Sequence, residues 1–417
     1  MSSPREIAVL YLHQIIEQKI LPSEELSGEA LPFIKMLTLT ALRNNVSLQK
    51  IISRFLAKPI KTKQTVLSSI LLCGTTELFF MDSPSYAVLN SYVELAKKLC
   101  GKSSSGFINA ILHKLLANKE QLLKNYHNEF FPDSFYKILK SDYSSAEIAK
   151  IAASSTQEPL LNLSVKNNPE LWAQKLGGKV IFQNLIALSP KGSISTLKGY
   201  EQGQWWVQDV SAALAAMQFD DLTGKRVLDL CAAPGGKTAQ LLNAGAKVTS
   251  LDCDNKRLDI LKQNMDRLHL TPQEIICADA LEYLQNYSGK PFDAVLLDAP
   301  CSATGIFRRH PETLYLKNRQ DISNQAKLQK QILQYIPRVL NTGGEFVYCT
   351  CSIAKDEGEQ QILSFVDSFP QFKIHQATQV PDKQMLSKEG FIRTLPHHLP
   401  QTNGCDAFFI AKMIKES

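Results

Sequence analysis

Two cysteines stand where a thiol could do chemistry. Cys301 lies in Asp298-Ala-Pro-Cys-Ser-Ala-Thr-Gly305 and Cys351 in Tyr348-Cys-Thr-Cys-Ser352, each at the end of an apolar run that reads as a strand. The thiolate is the nucleophile, and an unperturbed thiol with a pKa of about 8.5 is only a few per cent ionised at neutral pH. A nearby positive charge or oriented donors would activate it. Lys237 is one candidate for that charge, and reads equally well as a lysine at a helix start. Either cysteine alone also reads as a buried small hydrophobe. Two thiols on strand ends, with Asp298 beside them, should converge on one pocket rim.

A second group of residues points to a cofactor. Asp229-Leu-Cys-Ala-Ala-Pro-Gly-Gly-Lys-Thr238 closes one strand pattern and opens a helix, and its small residues let the backbone approach a ligand closely. The spacing is neither G-x-G-x-x-G nor a Walker A loop, which disfavours a diphosphate. Asp252 ends the next strand pattern and can accept hydrogen bonds from ribose hydroxyls; Asp279 follows the third and is placed to meet an adenine amino group. Each aspartate alone reads as a turn or helix-cap residue, but on consecutive strand ends they fit a nucleoside cofactor without phosphates, and S-adenosylmethionine is the candidate. Arg308-Arg309-His310 suits phosphates beside the site, and Trp205-Trp206 could stack a base or pack a core.

The elements that must carry these groups alternate from Arg226 onward. Strands are expected at 227–231, 247–252, 274–277, 294–298 and 345–351, with a closing run at 407–412 and helices notably at 255–268 and 323–340. Such alternation implies a mostly parallel sheet whose ligands bind at the strands' carboxyl ends. Upstream, 160–165, 180–182 and 185–188 read as short strands turned at Gly177-Gly178 and at Pro190-Lys-Gly192. Residues 5–118 read as helices, with Ile7, Leu10, Tyr11 and Ile15 on one face, then Leu67, Ile70, Leu71 and Leu78, then Ile108, Ile111, Leu112 and Leu115; Lys102-Ser-Ser-Ser105 reads as a cap. The expected fold is therefore multi-domain: an all-α bundle over 1–140, a linker with a small α+β subdomain over 141–220, and an α/β Rossmann-like domain over 221–417.

Composition sets the class. With 417 residues, 44% hydrophobic and 21% charged, the chain is neither disordered nor a disulfide-stapled mini-protein. Its net charge of +6 is uneven: residues 1–140 hold 17 Lys+Arg against 11 Asp+Glu, and 141–417 hold 29 of each. A basic front suggests an acidic partner, with Arg54, Lys58, Lys61 and Lys63 as a candidate basic face; a solvated helical surface would give the same tally. Nine scattered cysteines without a C-x-x-C pair argue against a metal site, and no leader pattern or membrane-length apolar run is present. A reduced cytoplasmic protein is expected.

With Pro300-Cys-Ser302 and Thr350-Cys-Ser352 both in place, the chain resembles the RNA cytosine-5 methyltransferase family, whose signatures include these paired motifs. The likeness is strong across 227–352 and weaker over 1–140 and 150–225, where the helical part resembles the antitermination factor NusB. It implies transfer of a methyl group from S-adenosylmethionine to carbon 5 of a cytosine, with small-subunit ribosomal RNA as partner; a monomer is expected, and the cysteine spacing and hydropathy above lead to no metal and no membrane attachment. It further implies that Cys351 adds to carbon 6, Cys301 assists release and Asp298 holds the edge of the flipped base. The cofactor falls to Cys231, Ala232, Ala233, Pro234, Gly235, Gly236 and Lys237, with Asp252, Asp279 and Asp298. Two departures stand out: Cys349 occupies a place where relatives commonly have alanine, and Leu163-Ser-Val-Lys166 lacks an arginine typical there. Other readings are another RNA such as tRNA, methylation of an exocyclic nitrogen (Asp298-Ala-Pro-Cys301 is distantly similar to D-P-P-Y), and a non-enzymatic antitermination-type RNA-binding module.

Overall fold

The computed structural model describes residues 2–22, 30–60, 64–127, 129–189 and 192–417. The chain divides into two compact units, one of residues 1–141 with 309–318 and one of 142–308 with 319–417. Among the described residues, no helix is long and apolar enough to cross a membrane.

The first unit is helical, built on Pro4–His13, Leu31–Ser53, Thr65–Phe80, Ser85–Cys100 and Lys102–Ala117. Helix Thr65–Phe80 is apolar on nearly all sides because it is the buried centre of the bundle. Its Glu77 is fully buried and paired, accepting from Arg5 Nε at 2.9 Å and from Tyr92 Oη at 3.0 Å. The faces expected on Thr65–Phe80 and Lys102–Ala117 are buried, but the first helix is turned. It buries Ala8, Val9 and Leu12 while Leu10 stays 38% exposed; Ile15, in the turn that follows, is buried as expected. Apolar residues on both of its sides made the periodicity ambiguous, and the anchors of Arg5 on Glu77 and Lys98 on Glu6 at 2.7 Å choose the face. Ser103 to Ser105 form the first helical turn rather than a cap, with Ser104 Oγ donating back to the Cys100 carbonyl. Arg54 and Lys58 are exposed; Lys61 and Lys63 lie outside the described residues.

The second unit opens with a four-stranded antiparallel sheet of β1 (Leu161–Val165), β2 (Lys179–Phe182), β3 (Leu185–Leu188) and β4 (Trp205–Val207), ordered β2-β3-β1-β4. Gly177 takes the left-handed turn at φ 67° as expected, whereas Pro190 and Lys191 lie outside the described residues. Both tryptophans serve the core: Trp205 is fully buried with Leu163 and Ile186, and Trp206 packs on Ala232 and Leu261. Ser164, where an arginine was the expectation, is fully buried and donates through Oγ to Gln208 Oε1 at 2.7 Å, and Lys166 spends its ammonium on the Leu268 carbonyl.

The main sheet holds β5 (Arg226–Leu230), β6 (Lys247–Asp252), β7 (Glu274–Cys277), β8 (Phe292–Asp298), β9 (Leu340–Thr350), β10 (Phe372–His375), β11 (Ile392–Thr394) and β12 (Phe408–Lys415). Its order is β10-β12-β9-β8-β5-β6-β7, with β11 also on β12; β7 to β9 are parallel and the β12 edge is antiparallel. The chain winds out from β5 to β7 and returns to β8 on β5's other side, so the switch point lies between β5 and β8. Residues alternate cleanly between the two faces: Leu228, Val295 and Tyr348 enter one core, Val227, Leu296 and Cys349 the other. The helix expected over 323–340 ends at Leu333, and β9 begins at Leu340. Strands β10 and β11 were not legible, being short segments whose pairing with β12 is purely tertiary.

Candidate active site

The loop after β5 is held by its neighbours rather than by itself. Cys231 sits at φ 61°, an uncommon conformation for a side-chain-bearing residue. Ala233 N–H donates to Asp252 Oδ2 at 3.1 Å, and Asp254 N–H donates to Asp252 Oδ1 at 3.1 Å. Arg257 reaches the Ala233 carbonyl, and Asn264 Nδ2 donates to the Pro234 carbonyl at 3.0 Å. Gly235 is at φ 101°, which favours glycine, and a Cβ there would press on Leu261 Cγ at 3.0 Å. The loop then enters helix Gly236–Asn243.

A cavity of about 420 Å³ lies at the carboxyl ends of these strands, with Cys231, Asp252, Asp279, Asp298, Cys301 and Cys351 in its wall. That volume falls within the range that takes a small ligand. Asp279 also caps helix Ala280–Asn286, accepting from Glu282 N–H at 3.0 Å, so the cap reading and the cavity reading both hold. A neighbouring cavity of about 560 Å³ is lined by Ala232 to Lys237, Trp206, Gln208 and Arg267, and shares Asp298 with the first.

At the shared wall Lys237 Nζ meets Asp298 Oδ2 at 2.7 Å and lies 5.2 Å from the Phe408 ring centroid. Burial alone would lower the ammonium's pKa, but Asp298 outweighs it and raises the pKa above the usual lysine value. Asp298 Oδ1 accepts the Cys349 thiol at 3.5 Å, its partner across β8 and β9. Cys301 and Cys351 stand with sulfurs 3.3 Å apart. The hydrogen bond to Cys351, then burial, hold the Cys301 pKa well above its ordinary value. Gly305 brings the two loops together: its N–H donates to the Cys351 carbonyl at 2.9 Å.

A family model described as 16S rRNA methyltransferase RsmB/F matches residues 216–414, and one described as the NusB family matches residues 2–117. Ribosomal RNA small subunit methyltransferase B of Vibrio cholerae serotype O1 is 34% identical over 349 residues, 80% of each chain. Its namesake in Yersinia pestis bv. Antiqua is 31% identical over 438 residues, covering 99% of this chain and 98% of the relative. The chain belongs to the RsmB/F family of 16S rRNA methyltransferases. Solved structures share the fold: that of PH0851 at TM-score 0.76 with 21% identity over the full length of both, and that of NSun6 from Pyrococcus horikoshii with SFG at TM-score 0.61 with 19% identity, over 70% of this chain and all of that one. As an RsmB/F member the protein is an S-adenosylmethionine-dependent methyltransferase with a NusB-type helical domain.

Within this RsmB/F site several expectations change. Arg308 is fully buried and donates to the Asn403 carbonyl, so it presents no charge to phosphates. His310, exposed and in the helical unit, pairs through Nδ1 with Glu312 at 2.9 Å. Lys237 spends its charge on Asp298, not on the nucleophile pair. Cys349 is fully buried, which makes it a packing thiol rather than an oxidisable one, and burial pushes its pKa up. Sequence reasoning missed Arg257, Asn264 and above all Glu357, whose role needs the fold to bring distant segments together. The one local signal was the serine that follows each motif cysteine.

Proposed function

We propose that this RsmB/F protein methylates carbon 5 of a cytosine in 16S ribosomal RNA in the cytoplasm, through a covalent adduct with Cys351. The observation that carries the reading is the pair of thiols 3.3 Å apart in the wall of the cavity that also holds Asp252, Asp279 and Asp298. The residues present fit S-adenosylmethionine. The cavity is apolar where Leu251, Ala280 and Ile332 line it and carries carboxylates suited to hydroxyl and amino donors; it has no cluster of cations for phosphates. Asp252 and Asp279 would hold the nucleoside, with Cys231 in the wall beside them, while the loop from Ala232 to Lys237 lines the neighbouring cavity that shares Asp298. When bound, the cofactor supplies a methyl group on a sulfonium.

Carbon 5 of cytosine is a poor nucleophile until carbon 6 gains an electron-rich substituent. The Cys351 thiolate forms the S–C6 bond, and the C5=C6 electron pair moves toward carbon 5 and the ring edge. Asp298 accepts from the exocyclic amino group at that edge, and the Lys237 ammonium paired with it offsets the negative charge that builds there. After carbon 5 is methylated a base at Cys301, its thiolate or a water beside it, takes the carbon 5 proton; the C–H electron pair re-forms the C5=C6 bond and the C6–S pair leaves on Cys351 as its thiolate. Cys301 assists that release, directly or through water. The helical domain over 1–140, with its excess of basic residues, docks the RNA.

The test is substitution with RNA in hand. Cys351→Ala should abolish methyl transfer and leave cofactor binding intact, and Cys301→Ala should accumulate a protein–RNA species on a denaturing gel. Near-normal transfer by Cys351→Ala would instead indicate methylation of an exocyclic nitrogen, which needs no nucleophilic thiol. Sequencing 5-methylcytosine in ribosomal RNA from a strain lacking the protein identifies the target.

A further inference from the structure

Glu357 lies in the turn Lys355–Glu357, six residues beyond Cys351, and is fully buried. Its Oε1 accepts from the Ser302 N–H at 2.8 Å and from Gln329 Nε2 at 3.2 Å. Its Oε2 accepts from Ser302 Oγ and from Ser352 Oγ, both at 2.5 Å. Ser302 follows Cys301 and Ser352 follows Cys351, so one carboxylate grips the residue next to each thiol. The Glu357 carbonyl is also used, by Tyr348 Oη at 2.9 Å and Thr350 Oγ1 at 3.3 Å. The nearby guanidinium of Arg393 is committed to Glu359 and to the Ser352 carbonyl.

We propose that Glu357 is a positioning residue: it sets the spacing of Cys301 and Cys351 by clamping the serine after each. The inference rests on the covalent reading above and deepens it. The donors that hold this carboxylate are neutral, an expensive setting for an acid whose pKa burial already raises. Stability alone would be served as well by an amide. What an amide cannot supply is two oxygens that each accept twice, with short charge-assisted bonds from both serine hydroxyls. The contacts that remain, the backbone bond from Gly305 N–H to the Cys351 carbonyl and the side-chain contact of Thr304 Oγ1 with Ser352 Oγ at 3.1 Å, keep the loops adjacent but do not orient each cysteine. Release of the product is the step most sensitive to that orientation. The carbon 5 proton must leave and the C6–S bond break while Cys301 is still within reach of the adduct.

Glu357→Gln keeps the side chain's shape, and the serine hydroxyls can turn to accept from the new amide. In the full-length protein with its ribosomal RNA substrate, kcat should fall about ten- to a hundredfold while KM for RNA and the cofactor Kd stay within about twofold. The covalent protein–RNA species should accumulate as it does in Cys301→Ala. A second readout needs neither RNA nor cofactor: dibromobimane should bridge Cys301 to Cys351 in the wild type, mapped by mass spectrometry, and do so at least several-fold more slowly in Glu357→Gln. Unchanged kcat together with unchanged bridging overturns the proposal. If Glu357→Gln does not fold, the double variant Ser302→Ala/Ser352→Ala removes the clamp from its other side and should give the same two effects. Wild-type behaviour there overturns the proposal equally. If Cys301→Ala traps no adduct, the release role of Cys301 has failed, and near-normal transfer by Cys351→Ala would end the covalent reading; in either case the bridging rate still decides whether Glu357 sets the spacing.

Discussion

Replacing Asp229 by asparagine should flatten part of the protein's pH-dependent stability. Asp229 sits on β5 beneath the cofactor loop, fully buried; Thr238 Oγ1 donates to its Oδ2 at 2.6 Å, and its Oδ1 has no partner among the described residues. Burial, helped by the charges of Asp298 and Asp252 and opposed by Thr238 and Lys237, raises its pKa from 3.8 to about 7. Between those two values the folded state holds a proton that the unfolded chain has lost. The stability this confers is complete below the lower value and is lost as pH rises through the upper one. At about 1.36 kcal/mol per unit the whole window amounts to roughly 4 kcal/mol, of which roughly 2.5 kcal/mol falls between about pH 5 and pH 8. An amide cannot ionise, so Asp229→Asn omits this slope. All three tryptophans, Trp172, Trp205 and Trp206, lie in the sheet-bearing unit. Urea unfolding followed by tryptophan emission therefore reports that unit. The wild-type minus variant difference should fall by roughly that amount across the range, since titrating groups that do not feel the Asp229 charge cancel. A difference that stays level would refute the claim that Asp229 is kept protonated by its burial.

Gly305→Ala would place a Cβ 2.0 Å from the Ala407 carbonyl oxygen and 2.8 Å from that of Cys351; backbone cannot yield as a side chain can, so the unit should lose at least about 3 kcal/mol in the same urea assay. Cys349→Ala removes a buried thiol whose bond to Asp298 is long, and should cost about 1 kcal/mol while leaving methyl transfer in place. In the helical unit, Glu77→Ala strips Arg5 and the buried Tyr92 hydroxyl of their acceptor and should cost about 2–3 kcal/mol, read by circular dichroism during heating. RNA binding should weaken with salt by about 0.7 in the log–log slope for each phosphate neutralised, and a flat response in a filter-binding titration would remove the basic helical domain from the docking role.

Much of the architecture was legible because it is written locally. Strands β6 and β7 and the helix after β6 announce themselves by apolar patterns of the right period and length; the face of Lys102–Ala117 follows from period alone. The first helix was misread because both of its faces are apolar, and only partners distant in sequence, Glu77 and Lys98, decide between them. Arg308 was misread because charge is a property of residue type whereas exposure is not: its guanidinium is buried against a carbonyl 95 residues later in the chain.

The same division runs through the site. Residue type and strand-end position were enough to pick out Cys301, Cys351, Asp252, Asp279 and Asp298, since a parallel sheet must deliver its strand ends to one rim. Partnership was a matter for the fold. That Lys237 serves Asp298, that Cys349 is a packed donor, that two cysteines 50 positions apart share a 3.3 Å contact, and that Glu357 holds the serine beside each of them, all depend on distances between segments. Local sequence sets which groups are present and on which element; hydrogen bonding and ion pairing fall off within a few ångströms, so which of those groups act on one another is decided by tertiary packing.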